Sequence, residues 1–296
     1  MLPDRDSPQD NAPRTRENSL MSLLLKSGHL VIRACRHGPM AYLAQDSIIG
    51  RSFETYGEYA EDEIRLLAQI VPAGGTFVDA GANIGAHTIP LARIVGPSGA
   101  VHAFEPQRVI HAILCTNVAL NNLTNVRVEW QALGDAPGFV VLPQIDYAAP
   151  GNFGGHAMRR EGDGDRVRLG RIDDLDLAAC HLIKIDVEGM EQAVLAGAAA
   201  TIARHRPALY VEADRPDGYE ALMAHLLGLG SCIWMHKAPL FSPANHFNAP
   251  ADIFNAMISL NAFCVPAERH AQLPFPEVRS PTDGLDALRR VLGLPT

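Results

Sequence analysis

At 296 residues the chain is long enough to bury an α/β core of roughly 200 residues and still carry extensions. Its 47% hydrophobic and 20% charged residues argue against a disordered chain or a membrane protein, and a net charge of −8 without a Lys/Arg run argues against a nucleic-acid surface. Cys35, Cys115, Cys180, Cys232 and Cys264 are odd in number, far apart and without a C-x-x-C pair, so they predict buried thiols of a reduced, cytoplasmic setting rather than disulfides or a zinc knuckle.

Residues 1–18, rich in Pro, Asp, Arg and Asn, predict a disordered tail. The apolar stretch at 20–25 is too short for a signal segment or a membrane span. Residues 19–55 read as an extension with short strands at 29–34 and 40–44 joined by a Gly38-Pro39 turn. A main domain over 56–266 opens with a helix at 61–71, where Ile64, Leu67, Ala68 and Val71 recur at helical spacing. A helix at 109–121, a strand at 126–130, a loop at 151–155, a strand at 181–187, a helix at 191–205 and a strand at 208–212 follow. Then come a helix at 219–229 and strands at 232–236 and 258–265. The segment 267–296 reads as a linker and a last helix behind the capping-box pattern Ser280-Pro281-Thr282-Asp283, with Leu285, Leu288 and Leu292 on one side. Alternation of strand and helix predicts parallel βαβ units with right-handed crossovers.

The richest stretch runs from Phe77 to Pro106. An apolar run enters Asp79-Ala80-Gly81-Ala82-Asn83-Ile84-Gly85, a helical segment follows, and a second apolar run ends in Phe104-Glu105-Pro106. Strand, glycine turn, helix and a strand closed by an acid make a nucleotide half-site, in which Glu105 accepts the hydroxyls of a ribose. The loop lacks the G-x-G-x-x-G pattern, and Asp79 would repel a pyrophosphate. A carboxylate there suits the ammonium of S-adenosylmethionine, which leaves a nicotinamide dehydrogenase as the weaker reading.

Ligands of open parallel sheets sit beyond the carboxyl ends of the strands, and Asp79, Glu105, Asp135, Asp186, Glu188, Glu212 and Asp214 all fall near such ends. If the strand runs on through Glu188, Asp186 and Glu188 project from one side. Glu191 reads as a helix-dipole partner in a first turn. Lys184 either holds the charge of a neighbouring carboxylate or snorkels from the strand's beginning. Asn152, Gly154 and Gly155 read as a lid or a plain surface loop, and the aromatic, turn-rich stretch at 239–247 as a substrate wall or an edge cap. His87, just past the glycine turn, reads as a cofactor contact, whereas His156, His236 and His246 read as structural.

With these motifs the chain resembles the FkbM family of S-adenosylmethionine-dependent methyltransferases, in the Rossmann-like class I group. The likeness rests on residues 77–85, Phe104-Glu105-Pro106, Asn152-Phe153-Gly154-Gly155, Lys184-Ile185-Asp186-Val187-Glu188-Gly189 and Ser259-Leu260-Asn261. It spans roughly residues 50–266. The resemblance implies a seven-stranded, mostly parallel sheet with an antiparallel last strand and helices on both faces. It also implies S-adenosylmethionine as donor and a hydroxyl acceptor on a sugar, glycan or secondary metabolite. Asp79, Gly81, Asn83 and Gly85 would surround the methionine part, Glu105 the ribose, and Ala132 and Leu133 the adenine. Glu58, Ala82, His87, Pro106 and Asp186 complete the expected cofactor contacts. Asp186, with Glu188 or Glu212, is expected to take the acceptor's proton directly; failing that, the carboxylates would suit Mg²⁺ provided no basic partner joins them. A cofactor-binding module without turnover is the alternative on the same fold.

Overall fold

The computed structural model describes residues 22–270 and 272–294, so the tail expected at 1–18 lies outside the described residues. Three antiparallel strands come first, β1 (Leu23–Ser27), β2 (Leu30–Cys35) and β3 (Gly38–Leu43), followed by helices α1 (Ile49–Tyr56) and α2 (Glu61–Ala68). Gly38 and Pro39 do not form the expected turn. They pair with Cys35 and Ala34 inside the ladder, and the reversal falls on Arg36 and His37.

The main sheet then builds from β4 (Thr76–Ala80), α3 (Thr88–Val95), β5 (Ala100–Phe104), α4 (Arg108–Leu120) and β6 (Val126–Glu129). A small side sheet of β7 (Ala132–Leu133), β8 (Gly138–Leu142) and β9 (Asp165–Gly170) intervenes. The chain returns through β10 (Leu182–Ile185), α5 (Glu191–Ala196), α6 (Ala199–His205), β11 (Ala208–Glu212) and α7 (Tyr219–Gly228). It finishes with β12 (Ser231–Pro239), β13 (Ile258–Pro266), β14 (Glu277–Val278) and α8 (Leu285–Val291).

Across the large sheet the order is β14-β12-β13-β11-β10-β4-β5-β6. From β6 to β11 the neighbours are parallel, and β13 runs antiparallel between β11 and β12. The seven strands implied by the resemblance are therefore present, and the two-residue β14 adds an eighth along β12. Chain order reverses between β4 and β10, so their carboxyl ends diverge into a crevice at the topological switch point.

Local chemistry explains two departures from the predicted elements. The helix expected at 191–205 is two helices: the carbonyl of Gly197 accepts the N–H of Asp173 at 3.0 Å from outside the helix, and Gly197 packs its bare Cα against the carbonyl of Gly134. Asp173 then starts α6 afresh by accepting the N–H groups of Ala200 and Thr201 at 3.0 and 2.8 Å. Near the end of the chain only half of the capping box forms. Asp283 accepts the N–H of Ser280 at 2.8 Å, but residues 281–284 stay a turn, α8 begins after a left-handed Gly284, and Leu292 is exposed while Leu285 and Leu288 are buried.

The N-terminal sheet shares one core with the elements that flank the large sheet: Val31, Met40 and Tyr42 pack with Ile84, Ile89, Ile110 and Phe153. Asn117 of α4, fully buried, fixes the junction by bonding both backbone groups of Ala41 and the carbonyl of Ile84. Cys35, Cys180 and Cys264 are buried thiols as expected, but Cys115 is exposed and Cys232 half-buried. No described helix is long and apolar enough to cross a membrane.

Candidate functional site

At the switch point a cavity of about 230 Å³ opens beyond β4, β5, β10 and β11. The turn after β4 forms its floor. Gly81 N–H and Ala82 N–H both donate to the carbonyl of Phe104, at 3.0 and 2.9 Å, so the turn is tied to the end of β5. Asn83 N–H donates to Glu105 Oε2 at 2.9 Å and Gln107 N–H to Oε1 at 2.8 Å. Burial pushes the Glu105 carboxyl up to about 7, against those two hydrogen bonds and with help from the charges of Asp186 and Asp79.

Gly81 is the residue on which this packing depends. Its φ is +79°, and a Cβ would stand 1.7 Å from the carbonyl oxygen of Asp186, so turn and acid touch through backbone alone. Gly81→Ala is expected to cost about 2–4 kcal/mol, from left-handed strain plus overpacking, as a lower urea midpoint. An unchanged midpoint would show that the turn moves freely away from Asp186.

Of the acids, Asp186, Glu188, Glu212 and Asp214 border the cavity together with Glu63 and Glu105. Asp79 does not. It is fully buried, its Oδ2 accepts from Thr88 Oγ1 at 2.6 Å, and its Oδ1 accepts no hydrogen bond but lies 3.6 Å from Lys184 Nζ. Lys184, not a ligand ammonium, therefore answers Asp79. The same Nζ donates to Asp186 Oδ2 at 3.1 Å. Burial alone would lower the lysine's pKa, yet Asp186 and Asp79 hold it above its ordinary value. Lys184 is thus a buried counter-ion, which resolves the two readings left open by the sequence.

The strand stops at Ile185, so alternation does not align Glu188 with Asp186 as expected. A left-handed Glu188, φ 58°, instead swings the chain so that oxygens of Asp186, Glu188 and Glu212 come within 4.8 Å of one another. That spacing would admit a divalent cation. However, Lys184 already binds Asp186 and Arg215 binds Glu188, so the condition set for Mg²⁺, acids without a basic partner, is not met. Burial and the charge of Asp186 push Glu188 up to about 7, with Arg215 opposing.

Other expected contacts separate into two groups. Ala82, Asn83, His87 and Pro106 border the cavity, as do Asn152, Gly154, Gly155 and His156 of the loop, and Leu240 from the stretch at 239–247. Glu58 lies outside it: its carboxylate is buried against Arg36 Nε at 2.5 Å and the N–H of His246 at 2.7 Å, where it anchors the segment after β12. Gly85, which packs on Leu114, and the buried Ala132 and Leu133 also lie outside. Asp135 is exposed, with Arg160 3.7 Å away. Glu191 accepts the N–H of Gly189 at 2.9 Å, a structural role, and His236 bonds Tyr210 and Asp62.

Sequence reasoning missed Glu63. It sits on α2 beside the buried Leu66 and Leu67, borders the cavity, and contacts His87 Nε2 at 3.0 Å. Burial raises its carboxyl, but His87 and Lys184 outweigh that and leave it lowered. An acid at i−3 and i−4 to two core leucines was the available signal. Tyr59 borders the same wall, its hydroxyl raised well above the usual range by burial and by Glu63 and Asp186.

The family described as the methyltransferase FkbM domain matches residues 79–232. Among curated proteins, the tRNA (adenine(58)-N(1))-methyltransferase catalytic subunit TRM61 of Cryptococcus neoformans var. neoformans serotype D is 35% identical over 94 residues, covering 30% of this chain and 22% of that protein. The match thus spans about a fifth of the curated relative's length. Among solved structures, the methyltransferase FkbM of Methylobacillus flagellatus KT shares 18% identity over 71% of this chain and 52% of that one, with a TM-score of 0.43. M. jannaschii TYW2 in complex with AdoMet shares 15% identity over 82% and 89%, with a TM-score of 0.42. A SAM-dependent O-methyltransferase of Thermotoga maritima shares 16% identity over 81% and 79%, with a TM-score of 0.42.

Proposed function

The chain belongs to the family of FkbM methyltransferases, and on that premise we propose that it transfers a methyl group from S-adenosylmethionine to a hydroxyl oxygen of a sugar or secondary metabolite. One observation carries the reading: a side-chain-poor turn, a buried acid bonded to it and a second acid across the gap all border one cavity, as Gly81 to Asn83, Glu105 and Asp186. Glu105 keeps a lone pair on each oxygen after accepting from Asn83 and Gln107, which suits two ribose hydroxyls. When bound, the donor supplies an activated methyl carbon, whose bond to sulfur breaks as the acceptor oxygen bonds to it.

Asp186 takes the proton that the acceptor hydroxyl loses, flanked by Glu188 and Glu212, while Lys184 fixes the orientation of its carboxylate through Oδ2. Rigid strand ends holding both partners in line supply several kcal/mol, up to about 7–11 in the best cases. The acidic lining disfavours polyanionic acceptors and favours small neutral ones. No metal is assigned to this step.

Incubating the full chain with S-adenosylmethionine and a panel of hydroxylated sugars and metabolites, read by mass spectrometry for one added methyl group, tests the reading. Donor binding with no methylated product across the panel favours a binding module without turnover. Tight binding of NADH in its place favours a dehydrogenase.

A pH dependence follows from Glu105. Ribose hydroxyls donate to the ionised carboxylate, so calorimetric Kd values for S-adenosylmethionine should fall as pH rises through about 7 and level off above it. In the unliganded protein the sign is opposite. The folded state holds the Glu105 proton longer than the unfolded chain, so stability declines from the usual carboxylate range up to about 7. A Kd independent of pH over this interval would remove Glu105 from ribose recognition.

A further inference from the structure

The side sheet of β7, β8 and β9 buries one face and exposes the other. Val140, Leu142, Val167 and Leu169 turn inward onto a small core with Ala132. Alternation therefore turns Phe139, Val141, Arg166 and Arg168 outward. The register groups them: Phe139 pairs with Arg168 and Val141 with Arg166, while Arg159 bonds Val141 from its other side through both backbone groups, at 2.7 and 2.9 Å. The outer face thus carries Arg159, Val141 and Arg166 in one row and Phe139 and Arg168 in the next. The Arg166 guanidinium lies 3.8 Å over the Phe139 ring, a diagonal contact possible only from a shared face.

Phe139 is 49% exposed, and the three arginines are exposed with it. Among the described residues, Arg159, Arg166 and Arg168 make no ion pair; in this hairpin only Arg160 does, with Asp135 at 3.7 Å. The acids of the segment stand apart from the face. Asp165 pairs with the inward Leu142, and Glu161 and Asp163 lie in the loop before β9. A chain of net charge −8 thus keeps one sheet face on which three unpaired cations frame an apolar centre.

We propose that this face docks the protein on an anionic lipid surface, its arginines meeting headgroup phosphates while Phe139 and Val141 enter the interfacial layer. Charge complementarity and an exposed apolar centre on one open sheet face together fit such a surface, and no spanning segment is needed. A nucleic acid fits less well. Its interfaces gather many more basic groups, and Arg166 already covers one side of the aromatic ring that a base would stack on. Docking in this way sets the main cavity beside the headgroups, because Met158, which borders it, directly precedes Arg159. The inference stands apart from the donor reading above.

Co-sedimentation of the full chain with vesicles of phosphatidylcholine, alone or in equimolar mixture with phosphatidylglycerol, tests this. Wild type should bind the anionic vesicles about ten-fold or more tightly than the neutral ones at about 0.1 M salt, and lose most of that preference at about 0.5 M. The pair Arg166→Gln and Arg168→Gln should weaken binding about ten-fold or more, and Phe139→Ser should weaken it without changing the salt dependence. Arg204→Gln with Arg290→Gln removes the same charge from helices α6 and α8 and should leave binding within about two-fold of wild type. Equal wild-type binding to both vesicles, or binding to neither, would overturn the proposal even if a variant does not fold. So would a preference that survives loss of Arg166 and Arg168, or an equal loss in the Arg204 and Arg290 pair. Tighter binding of a single-stranded RNA oligonucleotide than of the anionic vesicles would give the face to nucleic acid and overturn it as well.

Discussion

Asp186→Asn is expected to lower the rate of methyl transfer by about 10²–10⁴-fold, with the Kd for S-adenosylmethionine nearly unchanged. The amide keeps the size of the carboxylate and can still accept from Lys184, which now bonds Oδ2 at 3.1 Å, but it cannot take a proton from a hydroxyl. Asp186 is the acid best placed for that role. Its side chain is 37% exposed at the cavity, whereas Asp79 is 0% exposed and Glu105 is bonded into the turn by both oxygens. The split between turnover and binding is the diagnostic part, since a variant that merely loosened the strand end would weaken donor binding as well. Wild-type turnover in Asp186→Asn would remove this residue from the chemistry.

Lys184→Met should destabilise the fold by about 3–5 kcal/mol, read as a lower urea midpoint at unchanged m. Lys184 and Asp79 are register partners on β10 and β4, with side chains 3% and 0% exposed, so the methionine would strand a buried carboxylate whose Oδ1 accepts no hydrogen bond. Thr88 would still hold Oδ2, which softens the loss without supplying a charge. The double variant with Asp79→Asn is expected to recover much of the loss, and the double-mutant cycle measures the coupling. A cost below about 1 kcal/mol for Lys184→Met would mean that the pair is hydrated in solution.

What the sequence revealed and what it hid follow one physical division. Signals carried by neighbouring residues were legible. The turn at Gly81, the acid closing β5 and the bounds of β11 lie within a few residues of their causes, and the apolar runs of a parallel sheet stand out at once. Signals set by pairing across the sheet were not. Lys184 meets Asp79 only because β10 lies beside β4 in a particular register, over a hundred positions away in the chain. That contact turned an expected ligand-binding acid into the buried partner of a lysine. Glu58 was misplaced for the same reason, since its partners Arg36 and His246 come from distant segments. Glu188 reached the site by a left-handed turn rather than by continuing the strand, a detail of φ that alternation cannot foresee.

The crevice between β4 and β10 is proposed to hold an adenosine carrying an amino acid. A crystal structure of the full chain grown with S-adenosylhomocysteine tests it most directly. Density is expected against the Gly81–Asn83 turn, with both ribose hydroxyls within hydrogen-bond reach of Glu105 and the sulfur on the side of Asp186 and Glu212. Density for the nucleoside elsewhere, or with its ribose away from Glu105, would contradict it.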